Sequence, residues 1–325
     1  MKDKNAKTRK EKYDKLGSVP RLWQQKEITP MSAYEGTFFR PTGTTRLGGL
    51  IGSPVSHSLS PMMHNDSFYH LGIDYIYLCF DAGPDKLPEV VKGLRYMNTY
   101  GFNLTMPDKA AVIPCLDEIT KEASLCGAVN TVVNREGRLI GYNTDGTGFM
   151  RALKKKGFDA AGKEITLIGA GGAGSAIASA AVLGGFEKLH LACRRSRSWE
   201  KAVDLADRLS RVSGKDVDLI DLADAGTFDS AVSRSALLVN ATNVGMEPNP
   251  QAHPLPLLDV LKPGLWVADA IYHPRQTLLI KQAQARGLDT IEGLDMLLGQ
   301  GEEAFKLWTG QDMPVDLICK RYFGG

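Results

Sequence analysis

From Thr45 onward the chain alternates short apolar runs with longer stretches in which apolar residues recur every three or four positions. Short runs bounded by Gly, Pro or Asn read as strands, and the longer periodic stretches as helices. Leu47 to Ile51 predicts a strand ending at Gly52. Residues 61–71 predict a helix, with Ser60 as N-cap and Pro61 at its first position. A strand over 75–80, a helix over 86–97 and a strand over 101–105 follow. Residues 128–133 and 139–142 fit two strands around a turn at 134–137. A helix over 146–157 leads into a second series. That series has strands at 164–168, 188–192, 237–240, 266–269 and 290–291, with helices at 174–183 and 199–211. Helices over 293–309 and 315–322 close the chain.

Strands separated by helices imply an α/β fold with largely parallel sheets. At 325 residues the chain is long for one core, so two domains are expected. The divisions read from the pattern are an N-terminal extension over 1–45 and a first α/β unit over 46–148. A second, doubly wound unit spans 149–292, and helices over 293–325 return to the first unit. The extension is basic at its start, carries Pro20, Pro30, Pro41 and Gly43, and offers Leu22, Trp23, Phe38 and Phe39 for packing.

A formal charge of +2 gives no nucleic-acid-binding signature, and no apolar run is long enough to cross a membrane. Five cysteines without a Cys-x-x-Cys pair suit buried thiols in a reducing compartment, so a cytoplasmic location is expected. His57, His64 and His273 lack ligand spacing with supporting carboxylates, and no metal is expected.

The strand over 164–168 runs directly into Gly169-Ala170-Gly171-Gly172-Ala173-Gly174. Gly169, Gly171 and Gly174 satisfy G-x-G-x-x-G: a tight turn, close backbone approach to a pyrophosphate, and close helix–strand packing. The following helix N-terminus points free amides at the phosphates. Roughly 20 residues further on, NAD sites usually carry an acidic residue for the ribose 2′-hydroxyl. Here the chain reads Cys193-Arg194-Arg195-Ser196-Arg197. Arginines suit a 2′-phosphate, so NADP is the expected cofactor, with NAD as the alternative.

Three further segments carry polar groups that end at predicted strand or helix boundaries. They are the hydroxyl-rich loop at 52–61, Asn103-Leu104-Thr105-Met106-Pro107-Asp108-Lys109, and Gly141-Tyr142-Asn143-Thr144-Asp145-Gly146, which reads as placing Asp145 in a Gly-rich turn. Together with Gly127-Ala128-Val129-Asn130-Thr131, Asn240-Ala241-Thr242, the 269–274 segment and the 293–300 segment, they resemble the shikimate dehydrogenase family over residues 46–325. Residues 149–153 and 308–316 look closer to its quinate/shikimate branch.

With the glycine motif, the resemblance implies that 46–148 is an α/β substrate-binding domain and 149–292 a Rossmann-type NADP-binding domain, and it implies a catalytic pair of Lys109 and Asp145. It implies that Ser58 and Ser60 hold a substrate carboxylate, with Tyr272 beside them. Asn103, Thr105, Asn130, Asp145 and Gln300 would hold ring hydroxyls and the carbonyl. Thr242, Gly293 and Met296 would line the nicotinamide side. The sequence departs from the family at Cys193, where Asn is common, and at Ser196, where the branch that also accepts NAD is acidic. The implied activity is NADP-dependent reduction of 3-dehydroshikimate to shikimate, in aromatic amino acid (chorismate) biosynthesis. Alternatives are a dual quinate/shikimate enzyme, a dehydrogenase of another small acid, and a non-catalytic ligand-binding regulator. A homodimer is compatible with the sequence without being dictated by it.

Overall fold

The computed structural model describes residues 41–196, 198–255 and 259–324. The expected packing of Leu22, Trp23, Phe38 and Phe39, and the contribution of Arg197, fall outside these residues. The first series comprises β1 (Arg46–Gly52), α1 (Ser60–Leu71), β2 (Tyr75–Asp81), α2 (Leu87–Tyr96), β3 (Gly101–Leu104), α3 (Asp108–Ala111), β4 (Glu118–Ile119), α4 (Lys121–Cys126), β5 (Thr131–Arg135) and β6 (Arg138–Tyr142). Then come α5 (Thr144–Lys155), β7 (Glu164–Ile168), α6 (Gly172–Leu183), β8 (Lys188–Cys193), α7 (Trp199–Ser213), β9 (Val217–Asp221), α8 (Ala225–Arg234), β10 (Leu237–Asn240), β11 (Trp266–Asp269), α9 (Leu278–Ala285), β12 (Thr290–Ile291), α10 (Gly293–Thr309) and α11 (Val315–Ile318). The closing helix predicted over 315–322 changes after Ile318 into a π-helical turn over Cys319–Phe323.

Among the described residues the strands form two six-stranded sheets. The first has the order β2-β1-β3-β5-β6-β4 and is mixed, since β5 runs antiparallel to both β3 and β6. The second has the order β12-β11-β10-β7-β8-β9, and every pair in it is parallel. Chain order reverses between β7 and β10, so this is the doubly wound arrangement whose switch point opens at the carboxyl ends of the strands. Both faces of β7 are covered. Ile165 and Leu167 enter a core shared with α6 and α7, and Ile168 enters a second core with Phe228 and Leu279.

The C-terminal helices belong to the core of the first sheet. Leu294, Leu298, Phe305 and Trp308 of α10 pack with Leu50, Phe68, Tyr77 and Tyr100, and the Trp308 indole N–H donates to the Val132 carbonyl at 3.0 Å. Fully burying a side chain such as Phe305 is worth about 1.5–3 kcal/mol. Helix α10 crosses α5 where Gly148 meets Gly299: a Cβ on either glycine would strike backbone of the other helix. The two helices therefore touch backbone to backbone, and both carry site residues.

Two local expectations need correction. Ser60 is not an N-cap. The cap position is Leu59, no side chain caps it, and Ser60 is already helical with its N–H donating to the Ser58 hydroxyl at 3.2 Å. Asp145 is not in a Gly-rich turn. Asn143 caps α5 by accepting from the Asp145 and Gly146 amides, which places Asp145 in the first helical turn. Gly146 is required for packing, because a Cβ there would strike the Ala176 carbonyl of α6.

Candidate active site

Strand β3 delivers the chain to the carboxyl edge of the first sheet, and α3 then holds Lys109 one turn beyond it. The Lys109 carbonyl accepts from the Val129 amide at 2.8 Å, which fixes Lys109 beside Asn130. From the start of α5, Asp145 meets both: Lys109 Nζ lies 2.5 Å from Oδ2, and Asn130 Nδ2 donates to Oδ1 at 2.8 Å. The pair is part-buried, with side-chain exposures of 25% for Lys109 and 14% for Asp145. A carboxylate whose two oxygens are both engaged cannot rotate freely, so the Lys109 ammonium is aimed as well as neutralised.

The pair opens into a cavity of about 210 Å³. This lies below the roughly 300 Å³ at which pockets for drug-sized ligands begin, and suits a small acid. Ser58 and Ser60 reach the cavity from the loop before α1 and its first residue, and Asn103 and Thr105 from the end of β3. Tyr272, Gly293, Met296 and Gln300 reach it from the second half of the chain. All nine residues expected to bind or transform substrate therefore line one cavity, together with two of those expected at the nicotinamide. The Gln300 amide is turned to the Leu297 carbonyl of its own helix at 2.9 Å. Burial pushes the Tyr272 phenol up, and the Lys109 charge pulls it back down.

The glycine turn fits a dinucleotide. A Cβ on Gly171 or Gly172 would meet no atom within 4 Å, which leaves that backbone face open. A Cβ on Gly174 would run into the Gly169 carbonyl, so the third glycine is required by the turn itself. Gly169 has φ +99°, in the region glycine favours. The carboxyl end of β8 lies against the same turn, with the Gly169 amide donating to the Ala192 carbonyl at 2.9 Å. Arg194 and Arg195 follow there, both exposed. Arg195 Nε pairs with Asp221 at 3.0 Å and its guanidinium stacks on Trp199 at 4.7 Å. Thr242 is placed over the turn rather than in the cavity: its methyl lies 2.8 Å from where a Gly169 Cβ would be.

Residues 50–132 match the family model for the shikimate dehydrogenase substrate binding domain, and residues 293–318 match that for the shikimate 5′-dehydrogenase C-terminal domain. A shikimate dehydrogenase (NADP(+)) of Listeria innocua is 43% identical over 87% of this chain and 98% of its own. The chain belongs to the shikimate dehydrogenase family. Another member, the quinate/shikimate dehydrogenase of Escherichia coli, is 40% identical over 85% of this chain and 96% of its own. The crystal structure of shikimate 5-dehydrogenase from Listeria monocytogenes in complex with shikimate and NAD superposes with a TM-score of 0.85. It is 43% identical and covers 87% of this chain and 98% of that one.

Several residues around this family site have no role assigned from the sequence. Tyr77 lies fully buried behind the cavity, and its hydroxyl donates to Asn103 Oδ1 at 2.7 Å. Thr131 and Thr144 join Asn103 to Asn130 through buried hydroxyls. Beneath Thr242, the Asn240 Oδ1 accepts from the Thr242 hydroxyl at 2.7 Å, and Asn240 Nδ2 donates to Asp269 at 3.1 Å. Asp269 also accepts from Thr277 at 2.7 Å, and burial pushes its carboxyl up to about 6. Tyr77 lies in no motif, and Thr131 and Thr144 lie inside the family segments without a role, since a Tyr or Thr in an apolar strand or at a helix start reads as packing or capping. Among the described residues no three His, Cys, Asp or Glu side chains gather as a metal set.

Proposed function

We propose that the protein is an NADP-dependent dehydrogenase that interconverts 3-dehydroshikimate and shikimate. The observation that carries this reading is the Lys109–Asp145 contact of 2.5 Å inside a small cavity whose far residues, Gly293 and Met296, belong to the helix that follows the nucleotide-binding sheet. Bound NADPH supplies the hydride. Gly171, Gly172 and the first turn of α6 would hold its pyrophosphate, and Arg194 and Arg195 its 2′-phosphate. The division of labour largely follows the two sheets, with residues 46–148 and 293–325 serving substrate and 149–292 the dinucleotide, while Tyr272 reaches the substrate and Gly293 and Met296 the nicotinamide across that division.

In the reductive direction Lys109 delivers a proton from Nζ to the substrate carbonyl oxygen, and in the oxidative direction it receives one. Asp145 orients Nζ toward that oxygen and compensates its charge in the part-buried site. Ser58 and Ser60 hold the carboxylate through hydroxyl donors, with Tyr272 beside them, and Thr105 and Gln300 complete the polar wall. Excluding water from so small a cavity strengthens each of these interactions.

Replacement of Lys109 by Ala tests the assignment. Turnover followed by absorbance at 340 nm should fall by at least roughly a hundredfold, the usual worth of a positioned acid–base group, with binding of NADP unchanged. Near-normal turnover in Lys109→Ala, or none in the unaltered protein with shikimate and NADP, refutes the reading. Quinate as a second substrate has support in the E. coli quinate/shikimate relative, and the same assay with quinate and NAD measures it.

A further inference from the structure

A run of hydrogen bonds leads from Tyr77 to Asp145, and its direction can be worked out donor by donor. Asn130 offers its backbone carbonyl, which can only accept, to the Asn103 amide at 3.0 Å. This fixes Nδ2 of Asn103 toward Asn130. The second hydrogen of Nδ2 goes to the Thr131 hydroxyl at 2.9 Å. Oδ1 of Asn103 then faces Tyr77, whose hydroxyl donates to it at 2.7 Å. Burial pushes the Tyr77 phenol well above its ordinary range, so it keeps the hydrogen that it donates.

Thr131, having accepted from Asn103, passes its own hydrogen on to Thr144 at 2.9 Å or to Asn130 Oδ1 at 3.0 Å. Asn130 Oδ1 also takes the Thr144 amide at 2.7 Å. That oxygen is saturated from within the protein, while Asn130 Nδ2 spends one hydrogen on Asp145. The inventory of what remains is short. Asn103 has a lone pair to offer a ligand and no hydrogen. Asn130 has one hydrogen and no lone pair.

We propose that Tyr77 is a positioning residue for substrate recognition, holding Asn103 as a pure acceptor while Asn130 faces the ligand as a pure donor. This rests on the reading of the cavity as the site of a polyhydroxylated ring acid. Asn103 then demands an oxygen that carries hydrogen, a ring hydroxyl that is not oxidised. Asn130, beside Lys109 and Asp145, serves the reacting oxygen, which carries no hydrogen in the ketone and can be met only by donors. The two asparagines thus set which ring oxygen is presented to Lys109, because the reversed pose sets a ketone lone pair against that of Asn103.

The test uses shikimate and two analogues, each with one non-reacting ring hydroxyl replaced by fluorine, which cannot donate. With the unaltered protein, one analogue should lose roughly tenfold in kcat/KM, the worth of one buried hydrogen bond, mainly through KM. In Tyr77→Phe the KM for shikimate should rise several-fold with kcat within about twofold. The KM for NADP should stay unchanged, and the penalty for that analogue should shrink toward parity. Thr131→Val breaks the next link and should act in the same direction, so the proposal remains testable should Tyr77→Phe fail to fold. Equal use of shikimate and both analogues by the unaltered protein overturns the proposal. So does a Tyr77→Phe or Thr131→Val enzyme that keeps both the shikimate KM and the full fluorine penalty, or one that merely melts earlier. Absence of shikimate turnover in the unaltered protein would instead overturn the assigned function, a separate and visible outcome.

Discussion

His64 sits on α1 directly behind Tyr77, and replacing it with Phe should remove much of the protein's acid sensitivity. Its ring stacks on Tyr77 at 4.7 Å and lies within 6.2 Å of Phe68, Phe305 and Trp308. It is 1% exposed, and its Nδ1 has no hydrogen-bond partner. Burial alone lowers its pKa from 6.5 to about 3. Below pH 6.5 the unfolded chain therefore binds a proton that the folded chain refuses, so stability falls as pH drops from 6.5 toward 3. At about 1.4 kcal/mol per pH unit the full effect is about 5 kcal/mol, of which about 2 kcal/mol is lost by pH 5. That is a large share of the roughly 5–15 kcal/mol that holds a domain folded. His64→Phe keeps an aromatic ring in the aromatic cage and deletes the titration. Urea unfolding of both proteins at pH 7 and pH 5 measures the result. Any packing change from the larger ring shifts both pH values alike, and other titrating groups cancel between the proteins. The unaltered protein should lose about 2 kcal/mol more than the variant over this interval. Equal losses would refute the reasoning.

Asp269 titrates with the opposite sign. Its carboxyl is raised from 3.8 to about 6, with burial the largest cause, so it contributes stability in acid that is lost as pH rises through about 6. Asp269→Asn should flatten the unfolding free energy between pH 4 and pH 7 by up to about 3 kcal/mol, read by denaturant titration at each pH. The glycine turn predicts a split between two similar changes. Gly171→Ala adds a methyl where no atom lies within 4 Å, so its melting temperature should match the unaltered protein while the KM for NADP rises about tenfold. Gly174→Ala drives a methyl into the Gly169 carbonyl and should cost about 1–3 kcal/mol of stability as well as cofactor binding.

Much of the fold was legible because its elements are punctuated. The strands at Glu164–Ile168, Leu237–Asn240 and Trp266–Asp269 are apolar runs with sharp ends, and their observed limits are the predicted ones. Several of the elements absent from the sequence reading lack such contrast. Strand β9, Val217–Asp221, breaks its Val, Leu and Ile with two Asp at the sheet edge. Helix α8 has only Phe228, Ala231 and Val232 buried, and α3 is a single turn. The two misread helix starts have one cause. Around Ser58-Leu59-Ser60 and Asn143-Thr144-Asp145, several residues could cap, and local sequence does not say which backbone amide is left for which side chain.

The site divides along the same line. Residues whose chemistry reaches out of the fold, such as Lys109, Asp145 and the glycine turn, have side chains or conformations that a buried strand or ordinary loop would not choose, so they stand out in sequence. Tyr77, Thr131 and Thr144 face inward and satisfy other side chains, and nothing in the sequence, even inside the family segments, separates their role from that of core. Yet they decide the polarity of the visible ones. Asn103 read alone is a residue that can donate or accept. Only the positions of the Asn130 carbonyl and Thr131 at the start of β5, and of Tyr77 in β2, strip it of its hydrogens and leave an acceptor. A motif can therefore announce which residues meet a ligand. The sign of each contact is fixed by partners that the sheet, not the motif, brings within 3 Å.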